Sequence, residues 1–149
     1  MRLAQLLDRT GLDVLDHLER EVTVPIIDGP QAQGDLIVIP FDLLGTVTLR
    51  PWSGTRAVPA EGVELVRGVA GNNPHTLVAD PGTCTWTTGL RDAVGLSIGM
   101  FANTAPAYLI HPEHGGSGVA PGRWLVRRQQ EYGRGGTPGR LGSTVLVAD

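Results

Sequence analysis

The sequence is poor in cysteine and contains no lysine. Its one cysteine, Cys84, cannot form a disulfide within the chain, which excludes a disulfide-stapled secreted fold. The 12 basic residues are all arginine and stand against 15 acidic residues, so the formal net charge is −3. A weakly acidic chain lacks the broad basic surface of a nucleic-acid-binding protein. It also lacks the basic amphipathic helix of a protein that lies on a membrane surface.

Long apolar runs are missing as well. The longest candidate, residues 93–108, is shorter than the roughly 18 residues that a membrane-spanning helix needs, and Asn103 and Pro106 interrupt it. At the N-terminus Asp8 ends the first apolar run early, so we expect no signal peptide. We therefore expect a cytoplasmic protein without a membrane partner.

Glycine and proline are abundant, with 21 and 11 residues. They separate short apolar runs, which is typical of a chain of many short strands. A chain of 149 residues fits one domain and buries roughly 70% of its unfolded surface, enough to fold without a metal or a disulfide. The sequence therefore predicts a single domain over residues 1–149.

Helical periodicity is confined to the first 20 residues. Leu3, Leu6 and Leu7 share one helical face. Thr10-Gly11 then interrupts the apolar stripe, which continues beyond it. The pattern predicts a helical segment within residues 1–20, either as one kinked helix or as two short ones.

From residue 21 onward, short β-branched runs alternate with turn residues. Pro25 lies inside the first of these runs, residues 22–27, and favours an edge strand or a bent one. Asp80-Pro81-Gly82 has proline and glycine where a type II turn prefers them. Helical patterns do not alternate with the strands, so a parallel α/β sheet is not expected. The sequence predicts an all-β domain over residues 21–149, mainly an antiparallel sandwich or a partly closed barrel of about nine to eleven strands.

The first candidate site is the segment His111-Pro112-Glu113-His114 at the end of an apolar run. Imidazole and carboxylate groups are good zinc ligands, and His75 would supply a third nitrogen. A site with an open coordination position would activate water for hydrolysis. The alternative is a polar turn, since the spacing matches neither a zinc finger nor the helical zinc-protease motif. The open hypothesis is zinc held by His75, His111, Glu113 and His114.

The second candidate site lies in residues 124–132, which are predicted to form the longest strand. Alternation puts Arg128 and Gln130 on one face and Arg127 on the other. Paired arginines suit a carboxylate or a phosphate. The alternative is a solvated strand end with local ion pairs. Together with the N-terminal apolar face, the predicted interaction residues are Leu3, Leu6, Leu7, Arg127, Arg128 and Gln130.

Three further patterns are weaker. Residues 133–143 are rich in glycine but lack the Gly-Lys-Ser/Thr ending of a P-loop. Ser97 stands in a Gly-x-Ser-x-Gly sequence without the α/β pattern of a hydrolase. Cys84 has no base placed beside it, so a small buried residue is the better interpretation. No complete catalytic set remains.

The C-terminal part of the chain carries a recurring set of short motifs within residues 58–149. The main ones are His111-Pro112-Glu113-His114-Gly115, Pro121-Gly122, Val126, Arg128-Gln129, Glu131-Tyr132 and Val147-Ala148-Asp149. In these motifs the chain resembles a family of small uncharacterised bacterial proteins. Its members often carry a Gly-His-x-His segment upstream, where this chain has Gly71-Asn72-Asn73-Pro74-His75. The resemblance implies a β fold and no particular reaction, and the missing histidine weakens the zinc hypothesis.

Two functions follow as hypotheses. The first is a non-enzymatic binding or assembly module of a bacterial multi-protein system, because β-rich chains offer strand edges to a protein partner or to a second copy. The second is a zinc-binding protein or a metal-dependent hydrolase. Nucleic-acid binding is a weaker third hypothesis, since it requires the C-terminal arginines on one face, namely Arg123, Arg127, Arg128, Arg134 and Arg140.

Overall fold

The computed structural model describes residues 1–15, 18, 20–43, 45–67, 73–132 and 144–146. Within them lie one α-helix, one 3₁₀ turn and thirteen strands. In chain order the elements are α1 (Leu3–Thr10), β1 (Ile26–Ile27), β2 (Gln31–Gln33), β3 (Leu36–Pro40), the 3₁₀ turn (Phe41–Leu43), β4 (Val47–Ala57), β5 (Val63–Arg67), β6 (Pro74–Ala79), β7 (Cys84–Asp92), β8 (Ser97–Asn103), β9 (Ala107–His111), β10 (Gly115–Val119), β11 (Gly122–Arg128), β12 (Gln130–Tyr132) and β13 (Thr144–Leu146). The glycine-rich residues 133–143 and the closing residues 147–149 lie outside the described part.

The strands form two main sheets. The five-stranded sheet has the order β1-β10-β9-β6-β5, and the six-stranded sheet has the order β2-β3-β11-β8-β7-β4. A small third sheet pairs β12 with β13. The described pairings are antiparallel except that of β1 with β10, which is parallel. The predicted all-β sandwich is confirmed, and the two sheets do not close into a barrel.

The main core lies between the two sheets. Alternation turns Leu77 of β6 and Leu109 of β9 toward Phe101 of β8 and Trp124 of β11, and all four side chains are buried. Each buried side chain of this size contributes about 1.5–3 kcal/mol relative to an exposed one. Removal of apolar surface from water therefore holds the two layers together.

The helix covers the outer face of the five-stranded sheet. Leu3, Leu6 and Leu7 pack against Val78 and Tyr108 in a second apolar cluster. The sequence predicted helical structure within residues 1–20, whereas α1 ends at Thr10. Gly11 explains the end, because its φ of 71° is left-handed and its N–H donates to the carbonyl of Leu7.

The outer face of the six-stranded sheet carries a third apolar cluster. It consists of Val47, Leu90, Met100 and Leu125, with Ile39 and Phe41 packed against it. The guanidinium of Arg123 lies 4.7 Å from the ring centroid of Phe41 and covers this side. Both sheets are thus apolar on two faces, which accounts for strands that read as continuous apolar runs rather than strict alternations.

Turn chemistry behaves as the sequence predicts. Thr83 donates its N–H to the carbonyl of Asp80 at 3.1 Å, and Gly82 has a φ of 81°, as a type II turn requires. Of the predicted strand over residues 22–27, only Ile26–Ile27 pairs as β1, which lies at the edge of its sheet. None of the helices in the described residues has the length and apolarity to cross a bilayer.

Candidate functional site

Two histidines occupy inward positions at one end of the main core. His75 lies on β6 two residues before Leu77, and His111 ends β9 two residues after Leu109, so each continues an inward-facing row. Both side chains are 0% exposed. Their ring centroids are 4.4 Å apart, and His114 adds a third ring at 4.5 Å from that of His111. We call these three residues the histidine cluster.

His75 spans the gap between the two sheets. Its Nε2 lies 2.8 Å from Oδ1 of Asp35, and its Nδ1 lies 3.1 Å from Oε1 of Gln33. The amide nitrogen of Gln33 donates to the carbonyl of Leu109 at 3.1 Å, which fixes Oε1 as the atom that faces His75. Both ring nitrogens of His75 are therefore engaged by polar groups of the chain.

His111 organises the turn that follows it. Its Nδ1 accepts the backbone N–H groups of Glu113 at 3.1 Å and of His114 at 3.3 Å. Glu113 points to solvent, where its Oε1 accepts a hydrogen bond from the side chain of Asn73 at 2.8 Å. The turn is also tied to the N-terminal segment, since Leu15 donates its N–H to the carbonyl of Pro112.

This arrangement does not bring the four predicted zinc ligands to one point. His75 and His111 are buried, whereas Glu113 and His114 are exposed. A ligand must offer a lone pair, and the Nδ1 of His111 and both nitrogens of His75 are already hydrogen-bonded. Among the described residues, no group of three or more histidine, cysteine or acidic side chains is arranged to hold a metal. Zinc binding stays a prediction, which metal analysis of untagged protein would check.

The predicted interaction residues fall into two groups. The face of α1 with Leu3, Leu6 and Leu7 is covered by the chain's own sheet. Arg127 has a side chain 19% exposed and lies 3.4 Å from Asp92. Arg128 ends β11 and is half-buried. Gln130 begins β12, and its side chain lies outside the described part. A partner contact of these residues stays a prediction.

The carboxylate of Asp92, which lies beside Arg127, collects several hydrogen bonds. Burial of Asp92 opposes its ionisation, but hydrogen bonds from the hydroxyl of Ser97 and from the N–H groups of Val94 and Ser97, with Arg127 nearby, hold its pKa below the usual range. The hydroxyl of Ser97 donates to Asp92 at 2.6 Å from within β8, so Ser97 is not a nucleophile on a strand-to-helix turn. Burial raises the pKa of Cys84 to about 11, which suits an inert thiol.

A second region of interest lies where the pairing of strands is irregular, at residues that the sequence did not mark as functional. In β5 the register with β6 changes between Glu64 and Val66, so Leu65 is an extra residue without a partner. In β8 the register with β11 skips Ile98 in the same way. An extra residue in one strand is a β-bulge, which bends the strand and re-aims a side chain. Leu65 and Ile98 both pack on the open margin of the main core.

The third irregularity is larger and lies in β4. Leu49 pairs with Leu90 and Gly54 pairs with Thr88, so residues 50–53 stand opposite Gly89 alone. The hydroxyl of Ser53 donates to the carbonyl of Gly89 at 2.9 Å and accepts the N–H of Arg50 at the same distance. Gly89 has a φ of 79°, which only glycine adopts without strain. Residues 50–53, which we call the β4 excursion, are therefore held in place by the fold and are not a frayed strand end.

A pocket opens where the three irregular strands meet. It has a volume of about 510 Å³ and lies at the margin of the sandwich between β4 and β5. Leu65, Ile98 and Trp86 supply apolar surface, and Arg56 and Glu64 supply charge. The complete lining is Gly54, Thr55, Arg56, Glu64, Leu65, Trp86, Thr88 and Ile98. We call it the bulge pocket. Bulges are over-represented beside functional sites, and three of them meet here.

A family model described as a domain of unknown function, DUF8820, matches residues 32–129. The chain belongs to the DUF8820 family. This confirms the predicted membership of an uncharacterised family. No curated protein and no solved structure matches the chain.

The DUF8820 match covers both regions described above. It runs from β2 through β11 and includes the histidine cluster, Asp35 and the whole bulge pocket. Helix α1 and β1 precede the matched residues. The two candidate regions are therefore parts of the DUF8820 domain itself.

One signal in the sequence marks the bulge pocket. Arg50-Pro51-Trp52-Ser53-Gly54 breaks the alternation of β4 with a proline and a glycine, both of which indicate bulges or edge strands. Leu65 and Ile98 give no such signal, because Leu65 lies in an ordinary alternating strand and Ile98 in an apolar run. Their positions depend on the strands opposite them.

Proposed function

We propose that this DUF8820 domain is a non-enzymatic binding module that takes up an extended segment of a partner protein along the outer edge of β4. The observation that carries the proposal is the edge itself. β4 ends the six-stranded sheet, runs for 11 residues and is exposed along nearly its whole length. An extended peptide that adds to such an edge gains main-chain hydrogen bonds along it.

The other edges of the two main sheets are shorter. β1 has 2 residues, β2 has 3 and β5 has 5. Proteins commonly limit unwanted pairing by keeping edge strands short. The length of β4 departs from that practice, which favours a strand kept available for a partner.

Exposed apolar side chains accompany the edge. Trp52 is 69% exposed and Leu49 is 50% exposed. The guanidinium of Arg50 lies 5.7 Å from the ring centroid of Trp52, so the excursion presents an aromatic ring beside a cation. Tryptophan and arginine are the residues most enriched at binding hot spots.

Charge indicates the kind of partner. β4 contains Arg50 and Arg56 and no acidic residue. A second copy paired edge to edge through β4 would bring like charges together, which is destabilising across strands. An acidic extended segment of another protein is complementary. We therefore commit to such a segment as the occupant.

Selection from a displayed library of random ten-residue peptides tests the proposal with the full chain as target. We expect enrichment of β-prone, acidic peptides, and affinities of selected peptides measured by calorimetry to fall at least about tenfold with Trp52→Ser. Val94→Ser is the matched control, because Val94 is 60% exposed in the β7–β8 turn. Methylation of alternate backbone nitrogens in a selected peptide should abolish binding.

Three results would contradict the proposal. One is a library that yields no binding peptide. Another is equal loss of affinity with Trp52→Ser and Val94→Ser. The third is a dimer in sedimentation velocity that Trp52→Ser dissociates, which would make a second copy the occupant of the edge.

A further inference from the structure

We propose that the bulge pocket is a side-chain subsite for the segment bound on β4, and that it takes a large apolar side chain with an acidic side chain two residues away. The inference rests on the proposed function and adds the sequence preference of the partner. It names Gly54 and Arg56 as the residues that set this preference.

The register places both residues on the pocket side of the sheet. Gly54 pairs with Thr88 and Arg56 pairs with Trp86, and directly paired residues of antiparallel strands point to the same face. Trp86 belongs to the main core between the sheets. Gly54 and Arg56 therefore face the five-stranded sheet, and Thr55 faces the other way, where its hydroxyl bonds to that of Thr87 at 2.8 Å.

Gly54 leaves a gap on that face. A Cβ built on Gly54 would meet no atom within 4 Å, in contrast to Gly99, whose Cβ would lie 2.5 Å from the ring of Trp86. A strand added beside β4 would place one side chain directly opposite Gly54. An aromatic or large aliphatic side chain at that position covers a cross-strand glycine.

The floor below the gap is apolar. Trp86 packs against Gly99 and lines the pocket, and the two bulge residues Leu65 and Ile98 line it as well. The volume of about 510 Å³ exceeds that of any single side chain. The subsite therefore accepts bulky residues and discriminates poorly among them.

Arg56 supplies the charge preference. Within the described residues no acidic side chain forms an ion pair with Arg56, whereas Glu64 on the opposite rim already interacts with another group of the chain. A residue that faces Arg56 on an added strand lies two positions from the residue that faces Gly54. A carboxylate there gains a cross-strand pair. The expected partner sequence is thus apolar-x-acidic or its reverse, within an extended stretch.

The same peptide selection tests this inference when it is repeated on two variants. With Gly54→Val we expect the preference for a bulky residue to disappear and the affinity of peptides selected on the unmodified protein to fall about tenfold. With Arg56→Glu we expect selected peptides to carry arginine or lysine in place of the acidic residue. The matched controls are Gly45→Val, another glycine with open space, and Arg91→Glu, outside the pocket.

The outcomes separate this inference from the proposed function. Peptides that depend on Trp52 but show no apolar-x-acidic preference, or keep it in both variants, would overturn the subsite and leave the edge proposal standing. Failure to select any peptide would overturn both. Circular dichroism and thermal melting of each variant, compared with its control, show whether a loss of binding comes from loss of fold.

Discussion

The histidine cluster and the bulge pocket are both polar regions at the margin of one sandwich, yet they are built in opposite ways. At the histidine cluster, His75 and His111 are buried, and the ring nitrogens of His75 lie within hydrogen-bond distance of Gln33 and Asp35 from the other sheet. At the bulge pocket, Arg56 and Glu64 stand at the rim of an open cavity. The first closes the core, and the second leaves it accessible.

The difference shows that the buried histidines of this protein make structural contacts. Histidine and acidic residues near each other suggest chemistry in a sequence, but their atoms here hold two sheets and a turn together. The binding that we propose lies instead where strand pairing is irregular. Four substitutions test this contrast, and they are ordered by the size of the expected effect.

The largest effect is expected at the closed end. Asp35→Ala removes the carboxylate that lies 2.8 Å from Nε2 of His75. Loss of the hydrogen-bond partner of a buried polar group costs about 1–3 kcal/mol in the free energy of unfolding, and more where the group is charged. Urea denaturation measures it. Asp42→Ala is the control, since Asp42 is 82% exposed and lies 3.9 Å from Arg123. A small, equal change in both variants would contradict a structural role of the pair.

The next effect concerns the pocket floor. In Gly99→Ala the new methyl group would lie 2.5 Å from ring carbons of Trp86 and 2.6 Å from the carbonyl of Thr87, so a shift is required. Overpacking of this kind costs about 1–3 kcal/mol. Thermal melting and tryptophan fluorescence should both change. Gly54→Ala, where nothing lies within 4 Å, should leave both nearly unchanged.

A smaller effect with a distinct pH dependence is expected at Asp92. Its pKa is lowered in the folded state, so its carboxylate stabilises the fold above the unfolded pKa of about 3.9, and this stabilisation is lost as pH falls through the folded pKa. Asp92→Asn should cost about 1 kcal/mol at pH 7. The difference from the unmodified protein should shrink below about pH 4. A difference constant from pH 7 to pH 2 would argue against this account.

The smallest effect on stability is expected at the open end. Trp52→Ser removes a ring that is 69% exposed and lies 5.7 Å from the guanidinium of Arg50, so the free energy of unfolding should change by no more than about 0.5 kcal/mol. Chemical denaturation checks this value. A large loss of stability would mean that the excursion of β4 supports the fold, and the contrast between the two regions would fail.

Much of the fold could be predicted from local patterns. The apolar face of α1, the break at Gly11, the turn at Asp80-Pro81-Gly82 and the strand-rich remainder all follow from spacing and backbone preference. The residues of the candidate site could not be predicted in the same way. Nothing in the sequence distinguishes Ile98 from other apolar residues. It becomes a bulge residue only because β8 has one residue more than β11 at this point of their pairing.

The sequence by itself determined that this chain forms many short strands with a helical start, because side-chain alternation and glycine conformations act within a few residues. Tertiary structure alone decided that His75 meets Asp35, 40 residues away, and that α1 buries its leucines on the chain's own sheet. It also decided where the bulges meet. Hydrogen bonds and register depend on which strands become neighbours, and that is set by packing over the whole core.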